Sequence, residues 1–152
     1  MMSRIVPALL LALALPACDN KIEPPPNIDC FGPPMVFFDE GSAEVSEKAK
    51  KMLFGAFTRE PGFCSYGGPN VFVCLTGNTD KTGDESANRR LSLRRAEAVA
   101  KYLVEIGVAH DHMAVRGLGS SQPMVPNGLP SEPQNRRVEV GAVQESGLAN
   151  CK

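Results

Sequence analysis

The sequence predicts an α/β two-layer sandwich, a mixed sheet with two helices packed on it, in the order β-α-β-α-β-β. Three observations lead there. Short apolar runs rich in β-branched and aromatic residues alternate with longer stretches of helical period. Clusters of Gly, Pro, Asn and Asp separate the two kinds of segment. Strands joined through helices need crossover connections, which lay the helices against the sheet. At 152 residues, 43% apolar and 22% charged, the chain can build one compact core and has no material for a second.

The elements follow in order. Met35-Val36-Phe37-Phe38 reads as a short buried strand, with Asp39-Glu40-Gly41-Ser42 as the turn and a helix N-cap. Val45, Ala49, Met52, Leu53 and Ala56 then form an amphipathic stripe, opposite Glu47, Lys48, Lys50 and Lys51, that ends before Pro61-Gly62. Val71 to Thr76 is a second apolar strand, stopped by Gly77 and the turn-rich run from Asn78 to Gly83. Asp84 caps a long helix to Ile106, with Leu91, Ala96, Val99, Leu103 and Ile106 near one face and Gly107 closing it. Met113 to Leu118 is a third strand. Arg137 to Val143 is a fourth, in which Val138, Val140 and Ala142 alternate with Glu139 and Gly141.

Ahead of this domain, Met1 to Arg4 is a short positive segment and Ile5 to Leu15 an apolar run, too short for a bilayer span of about 20 residues and suited to a secretory signal. Leu15-Pro16-Ala17-Cys18 resembles the lipobox of bacterial lipoproteins. The resemblance implies removal of residues 1–17 and acyl chains on Cys18, which would anchor the chain at a membrane surface. The outer membrane is the expected residence, and the inner membrane is left open because Asp19 resembles an inner-membrane retention signal in one sorting system. Residues 18–30, with Pro24-Pro25-Pro26, read as a short extended tether, and 31–152 as the folded domain.

Setting Cys18 aside leaves Cys30, Cys64, Cys74 and Cys151, an even number that suggests two disulfides in an exported chain. Three connectivities exist, and sequence alone does not choose among them. The expected pairing is Cys64 with Cys74, closing the Gly/Pro-rich loop, and Cys30 with Cys151, joining the ends of the domain. A zinc site is disfavoured by irregular spacings and the presence of only His110 and His112. A net charge of -1 gives no field that would gather nucleic acid, and the Arg clusters lack interleaved aromatics.

The most informative stretch runs from Leu75 to Val99. Asp80, Gly83, Asn88, Leu91, Ser92, Arg95, Ala96 and Val99 stand in register with the pattern G-H-T-D-x-x-G-x(4)-N-x-x-L-S-x-x-R-A-x-x-V, so the stretch resembles the peptidoglycan-binding signature of the OmpA C-terminal-like family. Val36-Phe37-Phe38-Asp39-x-x-Ser42 resembles its first-strand motif, Arg116 to Pro123 its third-strand exit and Asn135 to Val140 its last strand. The resemblance covers about residues 34–143. It implies a domain that holds peptidoglycan without catalysis or cofactor, through the diaminopimelate of the stem peptide. Asp80 would take the ligand's ammonium and Arg95 its carboxylate, whose planar fork suits a bidentate contact. Asn88, Thr79, Phe38 and Asp39 would complete the site. In the family's closing motif, one Arg of the Arg136-Arg137 pair holds strand and loop together.

Each of these residues also has a plainer reading. Asp80 could organise an Asx turn and Arg95 could be one more arginine on a solvated helix. Their joint placement within the signature favours the site. Two positions depart from the pattern: Asn78 stands where the family has His, at the cost of a loop hydrogen bond, and Gly41 falls where some relatives carry a polar residue. No nucleophile-and-base pattern suggests an enzyme. The rival reading is an envelope adaptor that mainly docks another protein. A flagellar stator role is disfavoured, since it requires a true membrane helix.

Overall fold

A computed structural model describes residues 33–58, 71–143 and 151. The elements run β1 (Met35–Phe37), α1 (Glu47–Thr58), β2 (Phe72–Gly77), α2 (Glu85–Glu105), β3 (Met113–Gly117) and β4 (Arg137–Val143). This is the expected β-α-β-α-β-β order. The four strands form one mixed sheet in the spatial order β1-β4-β2-β3. The last strand, β4, inserts between the first two and runs antiparallel to both, while β2 and β3 are parallel.

One face of the sheet is covered by the helices. Val36 of β1, Val73 and Leu75 of β2, and Val138 and Val140 of β4 meet Ala49 and Leu53 of α1 and Ala96, Val99 and Leu103 of α2 in a single buried cluster. Because side chains alternate along a strand, Cys74, Thr76, Glu139 and Gly141 point to the opposite face. Leu91 and Ile106, expected in the core, are only half-buried. The N-terminal half of α2 instead buries Asn88, Ser92 and Arg95, so its inner face changes from polar to apolar along its length.

The caps explain where the helices begin. Asp84 accepts from the Ala87 amide at 3.0 Å and starts α2 as expected. Ser46, not Ser42, caps α1: its Oγ accepts from the Ala49 amide, while Ser42 Oγ organises the preceding turn through the Glu44 amide. Gly107 ends α2 at φ 99°, a left-handed conformation in which other residues clash with their own backbone.

Helix α2 lies unusually close to the ends of β2 and β3. A Cβ on Gly77 would fall 1.9 Å from the Ser92 carbonyl oxygen, and one on Gly117 would fall 2.5 Å from the Leu93 amide nitrogen. Ser92 uses this proximity. Its buried hydroxyl donates to the Arg89 carbonyl and accepts from the Gly119 amide at 2.9 Å, which ties the exit of β3 to the helix.

The structure corrects the expected disulfides. Cys74 is bonded to Cys151, with their Cα atoms 5.7 Å apart, which excludes both Cys64–Cys74 and Cys30–Cys151. Cys74 points away from the helices, and the chain's end meets it on that outer face. Closing the Gly/Pro-rich loop pointed to Cys64 with Cys74, but strand register decides which way Cys74 points. Cys30 and Cys64, the lipidation candidate Cys18, and the expected signal and tether segments lie outside the described residues.

Candidate functional site

The site lies beyond the C-terminal end of β2. The chain leaves the sheet at Asn78, whose amide donates to the Arg137 carbonyl at 2.8 Å. Thr79 donates its amide to the Gly119 carbonyl at 2.8 Å, and Lys81 donates its own to the Pro130 carbonyl at 2.9 Å. The 78–84 loop is thereby held between the β3 exit and the long β3–β4 connection. Asn88 locks it from the helix side, donating Nδ2 to the Thr82 carbonyl at 2.8 Å.

Asp80 is almost fully buried within this frame. Its Oδ1 accepts from the amide and hydroxyl of Thr82, closing an Asx turn, and its Oδ2 accepts from Arg136 Nη1 at 3.0 Å. Burial pushes the carboxyl's pKa upward, but the Thr82 bonds and the Arg136 guanidinium outweigh it and hold the value below the ordinary 3.8. Arg136 also donates Nε to the Phe38 carbonyl at 3.2 Å and Nη1 to the Ser131 carbonyl at 3.1 Å. It joins first strand, loop and last strand, the role implied for one arginine of that pair. Sequence reasoning did not single it out as the ion-pair partner of Asp80.

Arg95 differs most from expectation. The resemblance implies an arginine that reaches a ligand carboxylate, and the plainer reading a solvated helix position, but its side chain has no solvent-exposed area. Nε donates to the Ser42 carbonyl at 2.7 Å, Nη1 to the Asn78 carbonyl at 3.1 Å and Nη2 to the Asp39 carbonyl at 2.9 Å. The Phe38 ring lies 5.2 Å from its Cζ, within cation–π range. Burial lowers its pKa to about 10, with Asp80 opposing and Arg136 and Arg94 adding to the fall, so it stays charged at neutral pH. Among the described residues no carboxylate lies within ion-pair distance of it; the Asp80 carboxylate pairs with Arg136.

The remaining candidates are brought together unequally. Phe38 and the Asp39 carbonyl form the shell around Arg95, whereas the Asp39 side chain is exposed. Thr79 Oγ1 is buried without a hydrogen-bond partner, and so is Asn78 Oδ1, while Asn78 Nδ2 donates to the Thr76 carbonyl at 3.3 Å. The orphaned Asn78 oxygen agrees with a lost loop hydrogen bond at the position where the pattern has His. Gly41 adopts φ 67°, so the turn over Arg95 uses a conformation that a polar replacement would strain.

A mixed sheet with two helices on one face, and a loop clamped by buried charges at its end, defines an OmpA-like binding domain. The sequence profile of the OmpA family matches residues 37–137, and the chain belongs to that family. The peptidoglycan-binding protein ArfA of Mycobacterium tuberculosis is 49% identical over 73 residues, 47% of this chain and 22% of that protein. The probable lipoprotein YiaD of Escherichia coli is 34% identical over 115 residues, 75% of this chain and 50% of that protein. The chain thus spans half or less of these relatives' length. The crystal structure of the peptidoglycan-associated lipoprotein from Burkholderia pseudomallei superposes with a TM-score of 0.58 at 26% identity, covering 72% of this chain and 89% of that one.

Proposed function

We propose that this protein binds peptidoglycan non-covalently through the diaminopimelate of the stem peptide and, lipidated at Cys18, tethers a membrane to the cell wall. The observation that carries the reading is a charge imbalance. Among the described residues Asp80 is the one buried carboxylate; it pairs with Arg136, and the buried guanidinium of Arg95 has no ion-pair partner. A buried cation without its counter-ion is costly, and a ligand carboxylate would complete the set. Diaminopimelate brings that carboxylate together with an ammonium for which Asp80 is the available anion. Three of Arg95's N–H groups already end on carbonyls, and a guanidinium has five, so two remain for the ligand. Because Arg95 lies under Phe38 and the Asp39–Ser42 turn, that turn must yield as the ligand enters. Phe38, Asp39, Thr79 and Asn88 shape the entrance.

Sequence resemblance supports the anchor and its placement on the periplasmic face of the envelope, with the outer membrane favoured. The test is co-sedimentation of residues 19–152 with purified diaminopimelate-type peptidoglycan. That span keeps every core residue and the Cys74–Cys151 bond. Asp80→Asn is the informative variant, since an amide can still accept from Thr82 but cannot pair with an ammonium. Pelleting of the parent and loss of it in a folded Asp80→Asn protein supports the reading. A folded parent that stays in solution overturns it, and an adaptor that docks another protein becomes the function to pursue.

A further inference from the structure

The chain is fixed on both sides of the turn that covers Arg95. Phe38, just before it, donates its amide to the Arg136 carbonyl at 2.9 Å and accepts from Arg136 Nε at 3.2 Å. Val45, just after it, is buried in the core. Between them, residues 39–44 make two kinds of hydrogen bond among the described residues. Those inside the segment run from the Ser42 amide to the Asp39 carbonyl at 3.2 Å and from the Glu44 amide to Ser42 Oγ at 3.0 Å. Those leaving it both go to Arg95, whose Nε and Nη2 donate to the Ser42 and Asp39 carbonyls at 2.7 and 2.9 Å. Asp39, Glu40 and Gly41 are exposed.

Nε and Nη2 form the side-on edge of a guanidinium, on which two N–H groups can meet one carboxylate. Arg137 uses its edge in that way, since its Nε and Nη2 both donate to the Glu139 carboxylate. On Arg95 the same edge holds two backbone carbonyls. They satisfy the N–H groups but, being neutral, leave the buried charge unbalanced. Lifting the turn breaks two bonds and in return hydrates a cation, so the closed state is held only by the difference. A pivot is present: Gly41 stands at φ 67°, with open space where a Cβ would be.

We propose that the 39–42 turn is a gate, whose two carbonyls hold the place of a ligand carboxylate on Arg95 until the ligand displaces them. The proposal rests on the diaminopimelate reading of the site and adds its regulation. The apparent affinity is the intrinsic one reduced by the fraction of molecules whose turn is open. A change that disfavours the closed turn therefore tightens binding, the opposite of what damage to a binding site does.

The experiment measures opening and binding separately on residues 19–152. Opening is read without ligand, by nuclear magnetic resonance, from the protection of the Arg95 Nε proton against exchange with water. Binding is read from the amount of diaminopimelate-type peptidoglycan that pellets half of the protein. Gly41→Ala should fold, because its methyl meets nothing within 4 Å, and it strains the left-handed closed turn. The Arg95 Nε proton is expected to be less protected than the Val99 amide in the parent. In Gly41→Ala its protection should fall at least about fivefold further, with half-pelleting at correspondingly less peptidoglycan. Gly107→Ala places the same kind of strain at φ 99°, past the C-terminal end of α2, and should change neither quantity. Protection of the Arg95 proton equal to that of the Val99 amide, faster exchange in Gly41→Ala without tighter pelleting, or an equal gain in Gly107→Ala overturns the gate while the site stands. A parent that fails to pellet overturns the site reading and the gate with it.

Discussion

Replacing Arg95 by alanine should destabilise the domain by about 4 kcal/mol, an effect on folding that precedes any effect on binding. The side chain has no exposed area, and its three donated bonds end on the carbonyls of Ser42, Asn78 and Asp39. A buried acceptor stripped of its donor costs about 1–3 kcal/mol. These carbonyls lie in turns where small shifts admit water, so the low end applies, about 3 kcal/mol for the three, with roughly 1 more for the space left against Phe38. Native domains have about 5–15 kcal/mol in all, so the loss is a large share. With a urea slope of about 1–3 kcal/mol per molar, the unfolding midpoint should fall by roughly 2 M. Urea titration of residues 19–152 by far-ultraviolet circular dichroism measures it. Arg95→Lys should recover only part of the loss, because one ammonium cannot reach three diverging carbonyls. A loss below about 1 kcal/mol for Arg95→Ala would refute the claim that this guanidinium holds β1, the site loop and α2 together. It follows that Arg95→Ala is a poor binding mutant and Asp80→Asn a better one.

Acid should unfold the protein partly through Asp80. Its folded pKa lies below the ordinary 3.8, so its contribution to stability is complete above about pH 4 and is lost as pH falls through the lowered folded value. Asp80→Asn should flatten that limb of a stability profile measured by urea titration from pH 7 to pH 2. Cys151→Ser opens a loop with a sequence separation of 77, which chain entropy values at about 4.5 kcal/mol, and thermal unfolding of the two proteins should differ accordingly. Gly77→Ala should cost about 3 kcal/mol, because backbone of α2 occupies the place of the new methyl, whereas Gly141→Ala should be nearly neutral by the same urea assay. Peptide mapping without reduction should recover Cys74 joined to Cys151 and never Cys64 joined to Cys74.

The local elements were legible because their signals are local. Apolar period and punctuation by Gly and Pro placed all four strands and both helices within a few residues, and Asp84 and Gly107 marked the ends of α2. Asp80, Asn88 and Arg95 stood out because the signature fixes their spacing on one continuous loop and helix. The misplaced cap of α1 shows the limit of that reasoning. Ser42 and Ser46 are both acceptable capping residues, and only the backbone path of the turn assigns the helix to Ser46.

By itself the sequence determined the order of elements, the family and the identity of the charged residues, since each follows from residue type and short-range spacing. Tertiary structure alone decided that β4 enters between β1 and β2, that Cys74 meets Cys151, that Asp80 pairs with Arg136 and that Arg95 is sealed beneath Phe38. Each of these joins positions far apart in the chain. Such contacts depend on strand register and on how closely a helix approaches a sheet, and packing of the whole core sets both.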